Sequence, residues 1–151
     1  MTTTMIDPDA RKHWMGLLAK APAARLAALF EAWGPAPRFT WARPPEVGGV
    51  MLRGRMGGTG APFNLGEMTV TRCALKLGSG EIGHAYVQGR DKAHAERAAL
   101  IDALMQTEQA GELRRAVLAP LEDERADARA ARAAKAAATK VDFFTMVRGE
   151  D

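Results

Sequence analysis

At 151 residues the chain has room for one domain with a respectable apolar core, and it is short for two. Hydrophobic residues make up 47% of it, which excludes wholesale disorder, and no apolar run of about 18 residues or more is present to form a membrane-spanning helix. With 21 basic and 18 acidic residues the net charge is only +3, a weak bias towards anionic partners, and the single Cys73 excludes an internal disulfide, a four-cysteine zinc site and an iron–sulfur cluster held by this chain alone. The N-terminus lacks a charged-then-apolar signal pattern, so a cytoplasmic location is expected.

Residues 1–6 read as a frayed terminus. Asp7 followed by Pro8 is a helix start: a capping carboxylate, then a residue whose missing N–H is no loss in the first turn. Trp14, Leu17, Leu18 and Ala21 follow at helical spacing. Pro22 opens a second helix with the stripe Leu26, Leu29, Phe30 and Trp33, ended by Gly34-Pro35. A β region comes next. Arg38–Arg43 reads as a short strand stopped by Pro44-Pro45, and Val47–Met56 as a second with Val50, Leu52 and Met56 on one face. After the turn Gly57-Gly58-Thr59-Gly60, Met68–Leu77 and Glu81–Gln88 read as two more strands joined by Gly78-Ser79-Gly80. Short links between consecutive strands imply an antiparallel meander.

Asp91 then caps a helix whose His94, Ala98, Ile101 and Met105 share a stripe, which should cover one face of the sheet. Gly111 breaks it, and a short helical piece runs through Val117 and Leu118. Pro120 opens a helix over 121–139 that is almost all Ala, Arg, Glu, Asp and Lys, roughly 28 Å long at about 1.5 Å per residue. Beyond Leu121 it has no large apolar side chain and should project. Val141-Asp142-Phe143-Phe144-Thr145-Met146-Val147 is apolar on both faces if extended, so it should dock on a partner or fold back as a strand. The expected architecture is α+β. It has an antiparallel meander of about four strands, two N-terminal helices, one packing helix, and a projecting C-terminal helix with a docking tail. Residues 1–119 form the domain, and 120–151 are its extension.

Chemistry is sparse. Arg55-Met56-Gly57-Gly58-Thr59-Gly60 is either a flexible turn or an anion nest, and it is not a phosphate-loop motif. Arg53, Arg55 and Arg72 on neighbouring strands either gather charge near that loop or line the wet face of the sheet. Arg90 and Lys92 flank a helix N-terminus suited to anions, but Asp91 competes for the same N–H groups. His94-Ala95-Glu96 lacks the cysteines of a deaminase zinc site, and three scattered histidines give no metal spacing. Cys73 reads as a strand thiol rather than a nucleophile. Arg125, Arg129 and Arg132 form a basic stripe, read as a solvated face or as a clamp on an acidic subunit; Glu122 sits at i−3 from Arg125 to pair with it. The same stripe supplies the alternative of a small basic nucleic-acid-binding module, disfavoured because no aromatic–basic interleaving accompanies it.

Five segments in order carry a family likeness: Arg11-Lys12-His13-Trp14-Met15; Arg55 through Gly60; Thr69-Val70-Thr71-Arg72; Gly89-Arg90-Asp91-Lys92 on to Leu104-Met105-Gln106; and Val141 through Gly149. Together they resemble the PhnG family, subunits of the bacterial phosphonate carbon–phosphorus lyase system. The resemblance implies a core complex with PhnI as direct partner and with PhnH and PhnJ. It implies a role in displacing the purine base of ATP or GTP by a phosphonate, giving α-D-ribose 1-methylphosphonate 5-triphosphate. It also implies that this chain is not the radical subunit, which needs a cysteine-bound cluster. No catalytic residue, cofactor or metal is carried over to this chain. Substrate contact is expected from Arg55, Gly57, Gly58, Thr59, Gly60, Arg72 and Arg90, and partner docking from Arg125, Arg129, Arg132, Phe143, Phe144 and Met146.

Overall fold

A computed structural model describes residues 5–141. The expected docking residues Phe143, Phe144 and Met146 lie outside the described residues. Helix α1 (Pro8–Lys20) starts where the sequence places it, with the Asp7 carboxylate accepting from the N–H of Asp9 at 3.1 Å. Helix α2 (Ala23–Trp33) follows Pro22 directly. The sheet has three antiparallel strands in the order β1 (Phe39–Arg55), β2 (Pro62–Leu77), β3 (Ile82–Gln88).

The expected four strands are therefore three. Pro44-Pro45 does not stop the chain, because β1 is an edge strand and its outer side has no ladder to break. The two prolines fall in a register shift, with Arg43 opposite Ala74 and Glu46 opposite Arg72. One strand of 17 residues results.

Helix α3 (Lys92–Leu104) is covered on nearly every side, not only on the stripe read from the sequence. It lies between the sheet and helices α1 and α2. Its small Ala95, Ala99 and Ala103 let the backbone approach β3 closely. The core joins Trp14, Leu17 and Leu18 of α1, Leu26 and Phe30 of α2, Cys73, Leu75 and Leu77 of β2, Ala85 and Val87 of β3, and the body of α3. Over residues 71–77 of β2 and throughout β3 the odd-numbered residues face the helices, and the even-numbered ones face out.

Helix α4 (Ala110–Leu113) runs on through a wide π turn (Arg114–Leu118) into α5 (Ala119–Ala138). The N–H of Ala119 reaches back five residues to the carbonyl of Arg114. This wide turn sits immediately before Pro120, whose ring would strike the preceding turn of a regular helix. Pro120 thus lies inside a continuous helical path instead of opening a separate one. Leu121 is buried, and from Asp123 onward α5 is exposed. Its first turns are tied down by His13–Glu122 at 3.0 Å and Arg25–Glu124 at 2.7 Å. Glu122 therefore pairs with α1, not with Arg125.

Candidate functional site

Strand β2 is more than twice as long as β3. The chain leaves β3 at Gly89, which has φ +90 and whose N–H bonds the carbonyl of Thr69. Beyond that point β1 and β2 continue as a two-stranded arm, residues 49–55 against 62–69. A 3-10 turn, Met56–Gly58, forms its tip, with Gly57 and Gly58 at φ +62 and +81. Side chains there would be strained, which is the local reason for the glycine pair. The Arg55 guanidinium donates from Nη1 to the Gly60 carbonyl at 3.1 Å, so it closes the turn on itself.

Of the two readings left open for Arg53, Arg55 and Arg72, the wet face holds for Arg72, which does not join the other two near the loop. Arg55 stands opposite Pro62 and Arg72 opposite Glu46. Nine positions of β1 separate the two pairs, roughly 30 Å at about 3.3 Å per residue. Arg72 belongs to the wet face of the sheet. Its Nε donates to Glu46 at 2.7 Å, and Arg43 adds a longer contact of 3.6 Å. The bond from Arg72 is the main reason the Glu46 carboxyl is held below its ordinary range. The Arg72 guanidinium is shifted upward, first by Glu46 and then by Tyr86. Arg90 lies between these places, exposed in the turn that follows Gly89. At the start of α3 the Asp91 carboxylate already accepts from the N–H of His94 at 2.9 Å. The loop, Arg72 and Arg90 are therefore three separate positions along the ribbon, not one pocket.

The densest polar cluster escaped the sequence reading. Asp102, fully buried, accepts from Arg11 Nε at 3.1 Å and Nη2 at 2.8 Å, from the Trp14 indole at 2.8 Å and from the backbone N–H of His84 at 2.9 Å. Arg11 Nη2 also donates to the Ile82 carbonyl at 3.1 Å, shared with Gln106 at 2.8 Å. One carboxylate thus ties α1, β3 and α3 together. Its sequence signal was a lone acid inside Leu100-Ile101-Asp102-Ala103-Leu104, with Arg11 and Trp14 three apart on one helix face. Every donor and acceptor in the cluster is satisfied, so its work is structural. Two shallow clefts flank it, about 200 Å³ and 440 Å³, sharing Met15 and His84.

His94 is a packing residue. Its Nε2–H donates to the Leu18 carbonyl at 2.8 Å. Among the described residues no three metal-ligating side chains gather. Cys73 is 2% exposed, and burial, with a smaller contribution from Glu96, pushes its thiol up to about 11. Such a thiol keeps its proton and attacks nothing at neutral pH. A pH effect follows. Unfolded, the thiol ionises near 9; folded, near 11. Between these values the unfolded chain binds fewer protons, so stability falls as pH rises through that window. In urea titrations, wild type is expected to lose more stability from pH 9 to pH 11 than Cys73→Ala. Equal losses would show that the thiol ionises alike in both states.

Neither the arm tip, the Arg72 cluster nor the Asp102 cluster pairs a nucleophile with a base. The sequence matches the family described as "Phosphonate metabolism protein PhnG" over residues 9–149. It is 46% identical, over 93% of this chain and 90% of the relative, to the α-D-ribose 1-methylphosphonate 5-triphosphate synthase subunit PhnG of Rhizobium meliloti (strain 1021). With so much of its length matched, and the five motif segments all inside or overlapping that span, the chain belongs to the PhnG family of phosphonate metabolism proteins.

Proposed function

We propose that this chain is a non-catalytic or shared-site subunit of a cytoplasmic complex that makes α-D-ribose 1-methylphosphonate 5-triphosphate. PhnI is its direct partner, and PhnH and PhnJ complete the assembly. ATP or GTP is the substrate of the complex, and the purine base leaves as the phosphonate enters. The observation that supports this reading is the 46% identity to a synthase subunit along nearly the whole chain. The shape of the molecule is consistent with it: an arm and a helix stand away from a core that holds no nucleophile–base pair among the described residues. The substrate contacts proposed remain Arg55, Gly57, Gly58, Thr59 and Gly60 at the arm tip, with Arg72 and Arg90 as separate positions. The docking elements proposed are Arg125, Arg129 and Arg132 on the exposed face of α5 and the apolar segment that follows it. No observation favours the nucleic-acid alternative, and the family match points elsewhere.

The test is co-expression of the tagged chain with its three proposed companions. The full-length chain should retain all three. Deleting 141–151 should remove PhnI, and normal retention of PhnI would defeat the tail's docking role. A full-length chain that retains no companion would overturn the subunit reading itself.

A further inference from the structure

We propose that the β1–β2 arm is a second docking element, distinct from the C-terminal helix and tail. Its occupant would be an extended strand from a different subunit of the synthase, apolar on one side and bearing carboxylates on the other. This rests on the subunit reading above.

The first observation is the free edge. β3 ends at Gln88, opposite Val70, and Gly89 bonds the carbonyl of Thr69; beyond that one bond nothing among the described residues pairs with β2 on that side over 62–69. The carbonyl of Thr69 points to the line β3 would have followed, and alternation aims the N–H and carbonyl of Glu67 the same way. The slot is roughly 26 Å long at about 3.3 Å per residue. An unpaired edge of this length is a template for strand addition.

The second is what borders the slot. Val50 stands opposite Met68 and Leu52 opposite Gly66, on the side of the ribbon that carries Arg72. Near the tip, Phe63 and Leu65 both flank Gly54. Leu52, Phe63 and Leu65 are 38%, 43% and 66% exposed. Among the described residues no helix packs on this side, because the helices lie against the other face of the sheet. The other side of the ribbon sets Met51, 53% exposed, beside Arg53 and Arg55; the side with Leu52, Phe63 and Leu65 carries no arginine near the tip, and such an apolar side in water is the mark of an interface.

Charge selects the occupant. Arg11, Arg25, Arg43, Arg72 and Arg97 each have a carboxylate within the chain. Among the described residues Arg53 and Arg55 on the arm have none. A second copy pairing through the same edge would add two more arginines to the joined ribbons, one strand in from the seam, with only Glu67 on each edge to offset them. A different chain carrying carboxylates at alternate positions meets both demands at once.

The experiment compares amide hydrogen exchange of 62–69 in the isolated full-length chain and in the co-expressed complex, together with two variants of the complex. Phe63→Lys/Leu65→Lys makes the apolar side cationic, and Glu67→Pro removes an outward N–H without touching that side. Circular dichroism and thermal melting should match wild type for both, since neither position joins the core. In the complex, 62–69 should become protected, and both variants should lose about tenfold or more in retention of the companion subunits. Unchanged protection, or full retention by both variants, overturns the arm alone and leaves the subunit reading standing. Protection already present in the isolated chain also overturns it: loss on deleting 141–151 would make this chain's own tail the occupant, and concentration dependence would make it a second copy. A wild-type chain that retains no companion overturns the subunit reading and this inference together.

Discussion

Replacing Asp102 with alanine should lower the unfolding free energy by about 3–5 kcal/mol, the range for leaving the partners of a buried charge uncompensated. The argument runs through what the carboxylate holds. Trp14 is 3% exposed, and its indole N–H loses its 2.8 Å acceptor inside the core. The N–H of His84 loses one at 2.9 Å on the edge of β3. Each buried orphan donor costs about 1–3 kcal/mol. The Arg11 side chain is 30% exposed and can turn to solvent, so its loss is the smallest of the three. The ion pair gives a second expectation. Arg11→Met should destabilise on a similar scale, because the fully buried carboxylate keeps Trp14 and His84 but loses the cation it pairs with. Asp102→Asn should also fail to restore wild-type stability, since its amide nitrogen would face one of the donors that the second oxygen now accepts. Urea titration measures all three. An Asp102→Ala variant within about 1 kcal/mol of wild type would show that the cluster is ornamental to stability.

The helical half of the molecule was largely legible in the sequence. Asp7-Pro8 and Pro22 start α1 and α2 for local reasons, and the stripes Trp14–Leu17–Leu18 and Leu26–Phe30 are the ones that become buried. Local chemistry decides such starts, so a single sequence displays them. The sheet was less legible because proline carries a meaning that depends on place. Pro44-Pro45 ends a central strand but can sit in an edge strand at a bulge, and nothing local says which strand is the edge. Likewise Val50 and Leu52 were rightly put on one side of a strand, but that side carries no helix. Met56, assigned to the same side, stands in the turn at 78% exposure. Periodicity reports which side is apolar; it does not report whether a third layer covers it.

The candidate site divides the same way. The loop glycines and the Asp91 cap were visible because φ and capping are local. The separation of Arg55 from Arg72 was not, because it depends on the register of two long strands. Asp102 was visible only as an anomaly, an acid in an apolar run. Its meaning required Arg11 and Trp14 to arrive from 91 and 88 residues away.

Among the described glycines, Gly83 should be the one where an added methyl group does the most damage, as Gly83→Ala. Gly83 sits in β3 with its missing side chain directed at α3. A Cβ there would overlap the carbonyl oxygen of Ala99 and lie 2.8 Å from the N of Ala103 and 2.9 Å from its Cβ. These obstacles are helix backbone and a methyl group, so no rotamer change relieves them. The strand or the helix must move as a body. Moving either one disturbs Ala85 and Val87, which are buried against the same helix, and the His84 N–H bond to Asp102 just beside it. Overpacking of a tight core commonly costs about 1–3 kcal/mol, and the absence of any flexible neighbour puts this case at about 3 kcal/mol or beyond. Gly111→Ala is the matched contrast. Gly111 is exposed in α4 with nothing within 4 Å of an added Cβ, so alanine there should stabilise by about 0.5–1 kcal/mol through helix propensity alone. Opposite signs for the same chemical change, read by thermal melting, would place the contact of β3 with α3 at the centre of the fold's stability. A Gly83→Ala chain melting with wild type would mean that the sheet and helix stand further apart than their small residues imply.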